Sequence, residues 1–174
     1  MNTPEKLLAG LALVAFMAGN AAAQKSHANR LATDNRFVTK AAQGGMAQVK
    51  MGQLAVERAS NPKVKQFGQR MVDDHSKIND VLKTTAVQKG LTVPTALTSK
   101  DQATVNHLSK LSGEAFDRAY MQGAVKDHRA DVAEFQRQAN SGDDPEFKTF
   151  ASKTLPTLQD HLKMAQTTLA VVKK

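Results

Sequence analysis

The chain has no cysteine, no tryptophan and a single tyrosine among its 174 residues. Without cysteine there can be no disulfide framework and no lipid-bearing cysteine behind a leader, so the fold must hold by burial alone. With aromatics at 5% of residues, packing falls to Ala, Leu, Val, Met and Phe, a composition suited to helices rather than sheets. No nucleophile–base pattern stands out, which leaves hydrolase chemistry without support and points to binding or structure rather than catalysis. The seven methionines are dispersed and form no copper-handling cluster. Lys/Arg blocks interleaved with aromatics are also lacking, so no nucleic-acid partner is expected.

The one long apolar run is near the start. Lys6 precedes Leu7 to Gly19, and Asn20-Ala21-Ala22-Ala23 follows. Small residues at Ala21 and Ala23 fit signal-peptidase cleavage before Gln24. The run is too short for a permanent membrane span, and no later run is longer. The expectation is an export leader over 1–23, a flexible tail over 24–32 and one domain over 33–174, located in the periplasm or cell envelope with no transmembrane segment in the mature chain. A mature chain of this size forms one ordinary domain with a sizeable core.

The net charge is +8, and it is uneven. Gln24 to Gly90 carries 12 basic and 5 acidic residues, or +7, whereas Leu91 onward carries 11 and 10, or +1. A basic first half can attract an anionic envelope component, although a solvated surface is the simpler reading. Lys63, Arg70 and Lys77 recur every seven residues along the edge of one helix and are the candidates for such contact.

Apolar spacing of three and four predicts four long helices. The first starts with Thr33 or Asp34 as cap and runs to about Ala59. Asn61-Pro62 opens the second, which ends near Gly90. Leu91 to Lys100 is the longest connection. The third begins between Thr98 and Asp101, bends near Ser112-Gly113 and ends about Asn140. Asp144-Pro145 opens the fourth, and Pro156 inside it removes a backbone donor and predicts a kink. Asn61-Pro62 through Phe67 repeats as Asp144-Pro145 through Phe150. Two similar hairpins joined by a longer crossover describe an all-α, ferritin-like four-helix bundle, with a simple up-down bundle as the alternative.

Three Asp-His pairs, Asp74-His75, Asp127-His128 and Asp160-His161, lie well inside these helices. At ~1.5 Å per residue, each histidine falls roughly 18–24 Å from its hairpin turn, so within each hairpin the depths match. At about 100° per residue, all three imidazoles and Gln48 face inward, with Asp131 and Asp117 on the apolar side of the third helix. Asp74 and Asp127 sit at the rim, and Asp160 points outward. The candidate metal ligands are therefore His75, His128 and His161, with Asp74, Asp127 and Asp131 as ligands or as residues orienting them. A dinuclear ferritin-like site needs Glu-x-x-His motifs, which are missing here, and Gln48 stands where a bridging carboxylate is wanted. A mononuclear zinc, copper or nickel site fits better than di-iron. The alternative is a polar layer in which each imidazole is hydrogen-bonded and only fixes register. His107 and His27 are outside this set, and Gly44-Gly45 offers close helix approach.

The strings Ala41-Ala42-Gln43-Gly44-Gly45-Met46-Ala47, Met71-Val72-Asp73-Asp74-His75, Phe116-Asp117-Arg118-Ala119-Tyr120, Val125-Lys126-Asp127-His128 and Leu155-Pro156 through Leu162 resemble the DUF4142 family, over about Thr33 to Val171. The resemblance implies an exported bacterial protein of ferritin-like fold and no particular activity. The family pattern usually has Glu at the position of Gln48 and often an acidic residue at Lys50, while His75, His128 and His161 match. Two roles follow as expectations: an envelope binding or stress-related protein with a metal inside the bundle, or a structural interaction module whose basic first hairpin engages an anionic partner.

Overall fold

The computed structural model describes residues 9–173, with side chains from Ala32 onward. The leader and nearly all of the tail expected at 24–32 lie outside the residues whose side chains are described. Five helices follow in order: α1 (Ala9–Arg58), α2 (Pro62–Gln88), α3 (Ser99–Leu108), α4 (Gly113–Ser141) and α5 (Pro145–Val172). Among the described residues, no helix is long and apolar enough to cross a membrane.

Local chemistry sets most of these boundaries. Asn61 accepts from the Lys63 amide at 2.9 Å, and Asp144 accepts from the Glu146 amide at 2.8 Å. Each satisfies an orphan donor ahead of a proline that needs none. Thr98 caps α3 through the Asp101 amide at 3.0 Å. Gly90 closes α2 with φ 72°, a conformation that costs glycine little and other residues more. The expected bend at Ser112-Gly113 is a full break between α3 and α4, because Gly113 adopts φ 59° and the right-handed helix cannot continue through it.

One boundary differs from expectation. No cap forms at Thr33 or Asp34, because α1 is already helical upstream; neither proline nor glycine occurs from Ala21 to Thr33 to interrupt it. Asp34 is instead buried and accepts from Gln138 Nε2 at 3.5 Å. Helix α5 is continuous across Pro156, where only the Ser152 carbonyl loses its helical donor.

α1 pairs with α2 and α4 with α5, while α1 also packs on α4 and α2 on α5. The start of α2 (Val64, Phe67) shares one apolar cluster with the start of α4 (Phe116, Tyr120), together with Met51, Ala55 and Ala165. The end of α2 (Leu82, Ala86) shares a second with Phe135 of α4, Phe37, Phe147 and Phe150. So α2 and α4 run parallel, and residues 89–112, with α3 inside them, travel the length of the bundle between them. That is the long crossover of a ferritin-like bundle and not the short loop of an up-down one.

Phe37 anchors the second cluster with edge contacts to Phe135, Phe147 and Phe150 at centroid distances of 5.2, 6.4 and 6.2 Å. Burying each such ring contributes about 1.5–3 kcal/mol. α1 and α2 approach closely where Gly52 stands against Gly68. A Cβ on Gly68 would lie 2.6 Å from the Ala55 Cβ and 2.8 Å from the Gly52 carbonyl. Of the glycine pair expected to play this part, Gly45 makes room for the Asn79 amide, while Gly44 has only an ordinary contact with Asp131.

Candidate metal centre

Between the two apolar clusters lies a polar layer to which each long helix gives one inward side chain: Gln48 from α1, His75 from α2, His128 from α4 and His161 from α5. His128 and His161 have no exposed surface and His75 only 3%. Their ring centroids form a near-equilateral triangle with sides of 5.3, 5.4 and 5.7 Å. One nitrogen from each lies within 4.8 Å of the other two. The level depths and inward faces expected from helical geometry are thus met by all three histidines.

Hydrogen bonds on the outer side of two rings set their tautomers. His128 Nδ1 lies 2.9 Å from the Ala124 carbonyl, which can only accept, so Nδ1 carries the proton and Nε2 keeps a lone pair. His161 Nε2 lies 2.9 Å from Asp74 Oδ2. Burial alone would raise the Asp74 carboxyl, but hydrogen bonds from His161 and Arg70 outweigh it and hold it below its ordinary value. An ionised Asp74 accepts a hydrogen bond from His161 Nε2–H and leaves the lone pair on Nδ1. Three buried nitrogens, His75 Nε2, His128 Nε2 and His161 Nδ1, have no hydrogen-bond partner, nor does Gln48 Oε1.

The same burial keeps the rings neutral. His128 is pushed down to about 4 by desolvation, against the bond to Ala124, which favours the charged form. Desolvation, with His128 and His161 close by, puts His75 well below the ordinary histidine value. His161 is lowered by desolvation against the opposing pull of Asp74. Neutral imidazoles with free lone pairs are the protonation state a metal requires. Tetrahedral zinc with bonds of ~2.0–2.1 Å sets donor atoms about 3.3 Å apart, so the triad would close inward on an ion by rotation of its side chains.

The carboxylates divide. Asp74 backs His161 and is in turn held by Arg70. Asp131 does not join the triad but lines a cavity of about 10 Å³ with His75. Asp127 is half-buried and outside the triad; burial raises its carboxyl, and the charges of Lys100, Asp101 and Lys126 act on it. Asp160 and His107 are exposed, as expected. His27 lies outside the described side chains. The row Lys63, Arg70, Lys77 is interrupted, because its middle member is committed to Asp74.

Sequence reasoning placed Asp117 inward without finding its task. It accepts from Ser60 N at 3.1 Å, Ser60 Oγ at 2.6 Å and Asn61 N at 2.9 Å, tying the α1–α2 turn to α4. Its signal was an acidic residue on the apolar stripe one turn into α4, a place where only a partnered charge is tolerated.

No functionally curated protein matches the chain. Among solved structures, a DUF305 fragment from Deinococcus radiodurans superposes with a TM-score of 0.69 at 15% identity, over 78% of this chain and 94% of that one. A DUF305 protein from Streptomyces coelicolor, described as a presumptive secreted protein, superposes with a TM-score of 0.68 at 14% identity, over 79% and 90%. At such identities they attest the all-helical fold alone. The family model for the domain of unknown function DUF4142 matches residues 18–168, so the chain belongs to the DUF4142 family.

Proposed function

We propose that this protein is an exported envelope protein that binds one divalent transition-metal ion through His75, His128 and His161. A single observation carries the reading: three neutral, buried imidazoles each keep an unpartnered nitrogen, and one ring nitrogen of each lies within 4.8 Å of the other two. A purely structural polar layer should pair its buried nitrogens, because each one left unpaired costs about 1–3 kcal/mol. A metal ion would turn three such costs into three bonds. The outer contacts of His128 with a carbonyl and of His161 with a carboxylate are those that orient metal-bound imidazoles. With three nitrogen donors and no bridging glutamate, zinc, copper or nickel suits the site better than a pair of iron ions. Export is supported by the apolar run Leu7 to Gly19 before Ala21-Ala22-Ala23 and by the description of the Streptomyces protein.

The test is elemental analysis of untagged mature protein, followed by cobalt(II) titration in chelator-treated buffer. One equivalent of metal, with visible absorption of a nitrogen-ligated low-symmetry ion, is expected. Both should disappear in His75→Ala/His128→Ala while far-ultraviolet circular dichroism stays helical. A metal-free protein with no uptake would make the triad a packing layer and turn attention to the basic first hairpin and an anionic envelope partner.

A further inference from the structure

If an ion occupies the buried triad, it has to pass between helices, and the two open sides of the layer differ in charge. On the α2/α5 side, His161 is backed by Asp74, and the half-exposed Arg70 guanidinium closes over that carboxylate. A cation approaching there meets a fixed positive charge first. On the α1/α4 side the walls are small and acidic. Gly44 offers no side chain and stands against Asp131, whose carboxylate would lie 3.8 Å from a Cβ there. Asp131 and His75 line the same cavity, and His75 has a buried, unpartnered nitrogen. Asp127, one turn before Asp131 on α4, Glu134 and Asp101 at the start of α3 are all close enough to act on its charge. Helix α3 packs on α1 and α4 and so roofs this side of the bundle. Cations stand near this side as well, Lys40 drawn to Glu134 at 3.5 Å and Lys100 and Lys126 acting on Asp127, but unlike Arg70 none of them is bonded to a carboxylate that backs a triad histidine.

We propose that the cation enters from the α1/α4 side, beneath the start of α3, along Asp101, Asp127 and Asp131 to His75. This rests on the metal-binding reading and adds the path. Carboxylates lining a low-dielectric passage concentrate cations and raise association rates by about 10- to 1000-fold, with strong sensitivity to salt. A passage residue speeds entry and exit alike, whereas a ligand mainly slows exit. That difference makes Asp131 decisive.

The experiment follows zinc(II) association and dissociation by stopped flow against a chromophoric chelator, at pH 8 and two ionic strengths. It uses the wild-type chain, Asp131→Asn, Asp127→Asn/Asp131→Asn, and Asp160→Asn as an exposed control on α5. About a tenfold loss in association rate is expected for Asp131→Asn, with Kd within a factor of two of wild type. The double variant should be slower still and less sensitive to salt, with Asp160→Asn unchanged. Circular dichroism of each variant verifies folding, and Asp131→Glu, which keeps the charge, should recover the rate. A weakened Kd through faster release would overturn the path by making Asp131 a ligand. Unchanged rates in the double variant would overturn it as well. A wild-type chain that takes up no zinc or cobalt at all would remove both the path and the metal site, an outcome distinct from uptake that ignores Asp131.

Discussion

Lowering the pH of metal-free protein should expose the cost of charging the histidine layer, and His128 offers the cleanest measurement. Its folded pKa of about 4 lies below the ordinary 6.5, so the folded chain binds fewer protons than the unfolded one between these values. The stability contribution is therefore complete above pH 6.5 and is lost as pH falls toward 4. From pH 7.5 to pH 5 the loss is about 2 kcal/mol at 1.36 kcal/mol per unit. The ring has no exposed surface, so solvent does not screen it. Asp131 opposes this trend in the wild type. Burial, with Asp127, Glu134 and Asp101 around it, pushes its carboxyl up from 3.8 to about 7, so its contribution is lost as pH rises through 7. The informative quantity is therefore the difference between wild type and His128→Leu, in which Asp131 cancels. Urea unfolding with a chelator present should show the variant gaining about 2 kcal/mol on the wild type between pH 7.5 and 5, or roughly 1 M in midpoint at an m-value near 2 kcal/mol/M. A difference that stays flat within about 0.5 kcal/mol would refute the claim that His128 is held neutral by burial.

Other perturbations test other parts of the fold. Asp117→Ala leaves two part-buried amides and a hydroxyl at the α1–α2 turn without their acceptor, and should cost about 1–3 kcal/mol in denaturant unfolding; a loss under about 0.5 kcal/mol would mean water replaces it. Gly68→Ala gains helix propensity but forces α1 from α2, for a net loss of about 1–3 kcal/mol. Gly123→Ala meets nothing within 4 Å and should gain about 0.5–1 kcal/mol in the same assay. Asp74→Asn weakens the hold on His161, and metal affinity should fall about 10- to 100-fold in chelator competition, with helix content unchanged.

How much of this could be read from the sequence depended on how local the cause was. Caps at Asn61 and Asp144 and the inward phase of the three imidazoles follow from spacing within one helix, and the structure has them as expected. The level meeting of His75, His128 and His161 required the hairpins to be in register, which the matching Asn61-Pro62 and Asp144-Pro145 starts made plausible by giving each hairpin the same kind of turn. What escaped were relations between elements. The Asp117 cap is built from residues more than fifty positions apart, the Gly52–Gly68 contact depends on where two helices cross, and the break at Gly113 depends on a backbone angle that the pattern does not carry. The carboxylates divided for the same reason: Asp74, Asp127 and Asp131 all flank the inward stripe, but only the neighbouring helix decides which of them finds an imidazole.

The polar layer also bears on why the bundle tolerates it. Two phenylalanine-containing clusters, one on each side, supply burial that does not depend on the layer. Three unpaired nitrogens at about 1–3 kcal/mol each are a burden that such cores can offset in a domain of this size. A sequence selected only for stability would place leucine at 75, 128 and 161, as exchanging buried polar networks for packed apolar side chains is often neutral or favourable. Three histidines in their place, two with tautomers fixed from outside, accord with the proposed metal site. Triple replacement of His75, His128 and His161 by Leu should therefore raise the unfolding midpoint of the metal-free chain at pH 7.5 and abolish the increase that zinc gives the wild type. If the leucine variant is instead less stable than metal-free wild type, the histidines are part of the packing itself, and the case for a site weakens with it.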